Sequence, residues 1–346
     1  MRLYVVLSIC LVAPPSFVCR AIRRILVSCR KNNEALDAIA LAGLPISVCC
    51  CDKMFLDREA TASFCRGMWR MEAVQESDLF AVRKITLGVP RRWYAWPLIR
   101  GISDLPHITL LQDCPATIAR RFHRSELDCA LLPVIECLVS TGVSADPGRP
   151  PYRVIPGIGI CTDGNAETEV LFARAEPSAM RRATADFAQG GMLALTQVAL
   201  AECFHVAPEL VAYPGDGDPT DGVLLSGNEA FAAEHPFPLR YDTGELWRQA
   251  TGLPLVHMVW ATQRGAPLPE LRRLLAHAVQ KGLEEINEIA AIVSRVYGTD
   301  LEAVRRYLTD TVQYRIGAAE MDGVRKFMEL AGKHGLCDPR AEIHLC

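Results

Sequence analysis

Two adjacent arginines, Arg91 and Arg92, stand directly ahead of Trp93, Tyr94 and Trp96. A guanidinium pairs a carboxylate bidentately and stacks on aromatic faces, so this order suits a planar, negatively charged ligand. It equally suits a solvated loop edge beside core tryptophans, because most arginines lie at surfaces and tryptophan is highly buried on average. Gly190-Gly191, placed just before a run with helical spacing, leaves bare N–H groups that can meet an anion. The same pair also serves as a plain strand-to-helix turn that needs positive φ.

Other reactive residue types read as structural. The chain has 14 cysteines, and Cys10, Cys19, Cys29, Cys49, Cys50, Cys51 and Cys65 crowd its first 70 residues. The Cys49-Cys50-Cys51 run has no CxxC partner and no His at ligand spacing, which zinc would require. The remaining thiols are scattered singly, as suits a reducing compartment, and a cytoplasmic protein is expected. Asp216, Asp218 and Asp221 resemble a calcium loop, but Pro219 and the missing terminal Glu make it a polar turn. His107, His123, His205, His235, His257 and His277 form no ligand-spaced pair and read as satisfied or solvent-facing. There is no GxGxxG, P-loop or HExxH, so neither cofactor nor metal is expected.

These residues need a scaffold, and the 346-residue chain is long enough for two lobes with real cores. Half of it is hydrophobic (50%), 22% is charged, and the net charge is −3. No Lys/Arg-rich run lies beyond the N-terminal segment, so nucleic acid is not an expected partner. No apolar stretch approaches the roughly 18 residues of a membrane span. Residues 1–83 look unlike the remainder of the chain. Met1–Ala13 is apolar apart from one Arg, but Pro14-Pro15 closes it, no A-x-A-like site comes after it, and Arg20, Arg23, Arg24 and Arg30 come next. This segment is read as a poorly ordered extension or as a leader from a misplaced start, with the folded protein beginning near Met71 or shortly after.

From Lys84 strands and helices alternate. Strands are predicted at 85–89, 107–111, 127–133, 152–160, 168–172, 183–186 and 222–226. Asp113 is a candidate N-cap, with Pro115 near the first helical position. Met192–Glu202 has helical spacing, Leu268–Val296 reads as one long amphipathic helix, and Leu301–Leu308 and Met321–His334 as two more. Alternation of this kind argues an α/β class with mostly parallel sheets. The leave-and-return layout predicts two lobes joined by two crossings around a ligand cleft. Lobe one is expected over 84–176 and 259–336, lobe two over 177–258, and a tail over 337–346.

The segment Tyr241–Thr262, YDTGELWRQATGLPLVHMVWAT, resembles the Y-D-x-G-x-x-W-R-x-x-T-G-L-P-[FL]-V-x-x-x-W signature of the chorismate dehydratase family. Ser125–Pro133 with Glu136, Tyr152–Ile158, Asp221–Phe231, and Tyr307-Leu308 through Ile316-Gly317 are similar to further family segments in the same order. The chain is thus identified as a divergent member over about Lys84–Leu336. The resemblance implies a two-lobe, type II periplasmic-binding-protein-like fold with an interlobe cleft. It implies a lyase of the futalosine route to menaquinone that removes water from chorismate, giving 3-[(1-carboxyvinyl)oxy]benzoate. Such an enzyme holds a dianion, dry and oriented, while a base takes one proton. Trp247 and Arg248, inside the signature, are read as packing between elements, and Glu136 as a capping or pairing residue below the cleft.

Where the framework matches the family, the cleft loops do not. Tyr94 stands at the position of a functionally important Asn, and is the one candidate catalytic group, as donor or positioning residue. With a phenol pKa of about 10 it is no base at neutral pH. Val134 replaces a Ser, Phe187–Met192 replaces a polar loop and brings Gln189 with Gly190 and Gly191, and Asn228 replaces an Asp. Thr162-Asp163-Gly164 keeps a Ser-Asp-Gly turn, but Asn165, Glu167 and Glu169 stand after it where apolar residues are usual. Arg91, Arg92, Val134, Thr162, Asp163, Gln189, Gly190, Gly191 and Asn228 are therefore the candidate ligand contacts. The expected partner is a small planar carboxylate such as chorismate. The alternatives are a non-catalytic carboxylate-binding protein or sensor on the same fold, and a lyase for a related acid.

One expectation is testable on the chain itself. A protein starting at Met71 is expected to melt like the full chain, because residues 1–83 show no amphipathic period. A fall of many degrees in the thermal midpoint would show the segment to be integral.

Overall fold

The computed structural model describes residues 84–138, 141, 151–212 and 220–346. The expected extension over 1–83, its cysteine run, and the turn at Asp216 and Asp218 lie outside these residues. The chain begins with β1 (Ile85–Pro90), a 3-10 turn over Trp93–Ile99, β2 (Ile108–Asp113), α1 (Pro115–His123), β3 (Cys129–Pro133) and α2 (Val134–Leu138). Then come β4 (Arg153–Thr162), β5 (Glu169–Ala173), β6 (Arg182–Ala185), α3 (Met192–Phe204), β7 (Glu209–Ala212), β8 (Gly222–Ser226) and β9 (Leu239–Asp242). The return runs through α4 (Thr243–Thr251), β10 (Leu255–Thr262), α5 (Leu268–Glu284), α6 (Ile286–Tyr297), α7 (Leu301–Arg306), β11 (Val312–Arg315), α8 (Ala318–Lys333) and β12 (His344–Leu345).

These elements form a seven-stranded and a five-stranded sheet. In the larger the order is β11-β4-β10-β3-β1-β2, with β12 also beside β4. In the smaller it is β7-β6-β8-β5-β9. The two share one plan. A parallel trio (β2-β1-β3, and β7-β6-β8) is succeeded by an antiparallel strand, β10 or β5, and then by a strand antiparallel to that one. The α/β, two-lobe, type II periplasmic-binding-protein-like arrangement is thus built on mixed sheets, with five parallel and five antiparallel pairings among the described residues, and not on the mostly parallel sheets that alternation predicts.

Some boundaries differ from expectation. Strand β5 belongs to the smaller sheet, although a lobe boundary at 177 assigns it to the larger one. The break at Pro177 is only a 3-10 turn ahead of β6. All of β5 is buried, so it needs partners on both edges and finds them in β8 and β9. Likewise β10 enters the larger sheet at Leu255, ahead of the expected 259. The long helix read over 268–296 breaks at Glu285 (φ −100°, ψ 19°) into α5 and α6. Cys114, not Asp113, holds the N-cap position of α1, and Asp113 accepts from the Cys114 amide at 2.7 Å. The expected tail is partly a strand, because His344 and Leu345 pair with Arg153 and Val154.

The crossings are clasped by one carboxylate. Asp242, 1% exposed, ends β9 and caps α4, accepting from Gly244 N (2.9 Å) and Glu245 N (3.3 Å). The same side chain accepts from Ala166 N (2.7 Å) and Glu167 N (2.8 Å) on the outgoing crossing. Burial pushes its carboxyl up, and the amides of Ala166, Glu167 and Glu245 pull it back. Gly244 must be glycine, since a Cβ there would strike the Gly164 carbonyl. Arg248 of α4 pairs with Asp163, again joining the two crossings. Trp247, 1% exposed, donates to Pro254 O at 3.1 Å and packs edge-on to Phe327 of α8. The Y-D-x-G-x-x-W-R spacing is thus the sequence of a hinge.

Asp242→Ala removes an N-cap and orphans buried amides on both crossings. A loss of about 2–4 kcal/mol is expected, measured by denaturant unfolding. A loss below about 0.5 kcal/mol would show that water replaces the clasp without cost.

Candidate ligand site between the two sheets

Open α/β sheets bind ligands beyond the carboxyl ends of their parallel strands. Four such ends meet here. Strand β1 leads into Arg91 and Arg92, β3 into Val134, β6 into Asp186–Gly191, and β8 into Gly227–Glu229. Their side chains meet across the gap. Arg92 donates to Gln189 Oε1, Trp93 N donates to Asn228 Oδ1 at 3.3 Å, and Asn228 Nδ2 reaches Arg91 O at 3.5 Å. Gly191 N donates to Glu136 Oε1 at 3.1 Å. Gly190, at φ +55°, has its Cα side against Ala116 of α1. The sheets are closed on one another.

Arg92 is the electrostatic centre of this contact. It is 8% exposed and makes no ion pair among the described residues. Gln189, its partner, donates to Asp186 Oδ2 at 2.8 Å, and Asp186 Oδ1 accepts from Ala188 N at 2.9 Å. A guanidinium carries five donors, and an amide oxygen gives it no opposing charge. The guanidinium lies over Gly227, where any Cβ would collide with it. A buried cation held this way is suited to a carboxylate.

Aromatic rings fill the space behind it. Trp93 packs edge-on to Phe231 (5.0 Å), Tyr307 (5.1 Å) and Tyr94 (5.7 Å). Burial pushes the Tyr94 phenol far up, as does the charge of Glu169, while Arg92 and a hydrogen bond with Thr168 act the other way. Tyr94 is therefore a neutral donor at every physiological pH. Tyr314 OH fixes its backbone, donating to Tyr94 O at 2.8 Å.

The remaining candidates fall in different places. Arg91 is exposed and reaches Gln112 O at 3.2 Å, so the two adjacent arginines have separate roles. Val134, 1% exposed, offers only apolar contact at the start of α2. Asp163 is taken up by Arg248 at the hinge. Thr162 is buried, with its hydroxyl 3.0 Å from His257 Nε2. Glu136 bridges Gly191 to His123 Nε2 (2.8 Å), whose Nδ1 meets Tyr152 OH (2.9 Å).

One buried pairing, between two residues each noted in the sequence, was not read from it. His257 on β10, 2% exposed, has its Nδ1 3.2 Å from Glu169 Oε2 on β5, so a pair links the two sheets. Thr168 Oγ1 lies 3.2 Å from both Glu169 Oε2 and Tyr307 OH. The available signal was a charged or polar residue inside an apolar strand, in E-V-L-F-A and L-V-H-M-V-W. Among the described residues no cluster of His, Cys, Asp and Glu could hold a metal ion. No helix among them is long and apolar enough to cross a membrane.

Comparison with known proteins bears on this site. A family profile described as menaquinone biosynthesis matches residues 85–333. The chorismate dehydratase of Thermus thermophilus is 32% identical over 130 residues, covering 32% of this chain and 48% of that protein. The match thus spans about half the length of that curated relative. Protein AF1704 from Archaeoglobus fulgidus has a similar fold, with TM-score 0.57 and 17% identity, over 74% of this chain and 99% of that one. The Candida albicans CA3427 gene product, described as having the generic periplasmic binding protein fold, has TM-score 0.49 and 11% identity over 73% and 91% of the two chains.

The closed contact can be tested at Gly191. A Cβ there would lie 2.5 Å from Ile135 Cγ2 and 2.9 Å from Glu136 Oε1. Gly191→Ala is expected to cost about 1–3 kcal/mol through overpacking, seen as a lower thermal midpoint. An unchanged midpoint would mean that this contact is not kept in solution.

Proposed function

The chain belongs to the menaquinone-biosynthesis family, and from that membership we propose that its cleft binds a small planar carboxylate, chorismate first, and removes water from it. The observation that carries this reading is Arg92, a buried guanidinium without a carboxylate partner among the described residues, at the meeting point of four strand ends. A ligand carboxylate would take the place of Gln189 as its acceptor and supply the opposing charge. The aromatic faces of Trp93 and Tyr94 would lie along the ligand ring. Entry requires the sheets to part, with the Asp242 clasp as the fixed end of that motion.

In the proposed reaction a base takes one ring proton, the neighbouring hydroxyl leaves, and proton and hydroxide together make water. The ring becomes aromatic, which supplies most of the driving force, so the elimination needs no metal or organic cofactor. One of the ligand's own carboxylates serves as the base. The protein orients the dianion, excludes water, and offers the neutral Tyr94 phenol as a donor. As a biosynthetic step on a soluble metabolite, it belongs in the cytoplasm. The lobes of this reading are the larger sheet with its helices and the smaller sheet with α3 and α4.

A second reading, carboxylate binding without turnover, has its own support. Tyr94, Val134 and Phe187–Met192 put ring and chain atoms where small polar groups would hold a reacting ring. Incubation of purified protein with chorismate, with calorimetry and detection of the aromatic product, separates the two. Binding with slow product formation is expected. Binding with no product favours the second reading, and no binding sinks both. Arg92→Ala is expected to weaken chorismate binding by about 1.5–3 kcal/mol with folding intact. Tyr94→Asn alone is expected to recover little turnover, because groups that act as a unit are not additive.

A further inference from the structure

Glu169 and Ser226 are directly opposite in the antiparallel register of β5 and β8, so their side chains share one face of the smaller sheet. Both are deeply buried, at 1% and 5% exposure. Glu169 Oε2 is engaged by Thr168 and lies beside His257. Glu169 Oε1 and Ser226 Oγ are buried with no hydrogen-bond partner among the described residues. A carboxylate oxygen and a hydroxyl left unpaired in the interior are costly, and each is a strong directional group awaiting a match.

Their position ties them to the cleft. Ser226 is the last residue of β8, one of the four converging strand ends, and the next residue, Gly227, lies under the Arg92 guanidinium. Gly227 N donates to Thr168 O at 2.6 Å, which holds the start of β5 against the same turn. The Tyr94 phenol lies near enough to Glu169 and Thr168 to feel both. The unpaired acceptor and hydroxyl therefore sit next to the cation that would take the carboxylate.

We propose that Glu169 and Ser226 form a subsite for a ligand hydroxyl, with Glu169 Oε1 accepting its proton in a hydrogen bond and Ser226 Oγ donating to its oxygen. His257 lies beside the other carboxylate oxygen, its Nδ1 3.2 Å from Glu169 Oε2 and itself buried without a hydrogen-bond partner among the described residues. The ligand class is then a cyclic carboxylic acid that carries a free ring hydroxyl. This rests on the carboxylate reading given above and narrows it. A ring that has lost its hydroxyl leaves both groups unpaired again, so the dehydrated product is held less tightly than the substrate.

The test uses the full chain and two probes, chorismate and its deoxy analogue, which differ only in the ring hydroxyl. Calorimetry on the unaltered protein is expected to give at least about 10-fold tighter binding of chorismate. Glu169→Gln and Ser226→Ala are each expected to shrink that ratio several-fold while affinity for the deoxy analogue stays the same. Ser226→Ala guards against misfolding, since it deletes an unpartnered hydroxyl and leaves the His257–Glu169 pair in place. Equal binding of the two probes overturns the subsite while the carboxylate reading stands. A preference that survives in both variants does the same. If neither probe binds, the carboxylate reading has failed and the subsite fails with it.

Discussion

One buried carboxylate governs the relation between the two halves of this protein. Asp242 receives amides from the outgoing crossing and from the first turn of α4 on the return, so neither crossing can move far without breaking charge-assisted bonds. Around it Gly244 admits the Gly164 carbonyl, Arg248 holds Asp163, and Trp247 anchors α4 to the start of β10. The hinge is therefore stiff at one end. Any opening of the cleft must pivot there and be largest at the strand ends that carry Arg92, Gln189 and Asn228.

At those strand ends the closed form is held by polar contacts, backed by an apolar core in which Met192, Leu195, Val198 and Phe231 pack with the residues of the larger sheet. Arg92 meets an amide, Glu136 meets the Gly191 N–H, and Asn228 meets the Trp93 N–H. The neutral Asn228 bond has a net worth of about 1 kcal/mol, whereas those of Arg92 and Glu136 involve a charged group and are worth about 1.5–3 kcal/mol. The aromatic cluster of Trp93, Phe231 and Tyr307 joins the sheets behind them. A dry interior under a polar rim lets a charged ligand be drawn in and then desolvated.

The framework was legible because its signals are local and redundant. Strand and helix periods, and the dense signature at Tyr241–Thr262, predict two lobes and two crossings that the sheets reproduce. Boundaries were less legible. The lobe boundary expected at 177 puts strand β5 with the larger sheet, but pairing with β8 and β9 decides its sheet. The two arginines read alike in the sequence, and only tertiary placement buries Arg92 and leaves Arg91 exposed. Asp163 looked like a ligand contact because its turn keeps the family's residue types, yet Arg248, distant in sequence, claims it. The Glu169–His257 pair was least visible, since its members lie far apart in the chain and each alone resembles a misplaced polar residue in a strand.

The interleaving of strands also sets an order of events during synthesis. The smaller sheet is made wholly of consecutive strands, β5 to β9, and can complete itself as soon as residue 242 has emerged. The larger sheet cannot, because β10 lies between β3 and β4 and arrives only with residues 255–262. Until then β3 and β4 present open edges with almost wholly apolar faces on β3, the kind of surface that pairs with other chains. The chain therefore depends on its own late segment to silence an early hazard. A nascent protein stalled before that segment would carry a finished small lobe and an unfinished, adhesive large one.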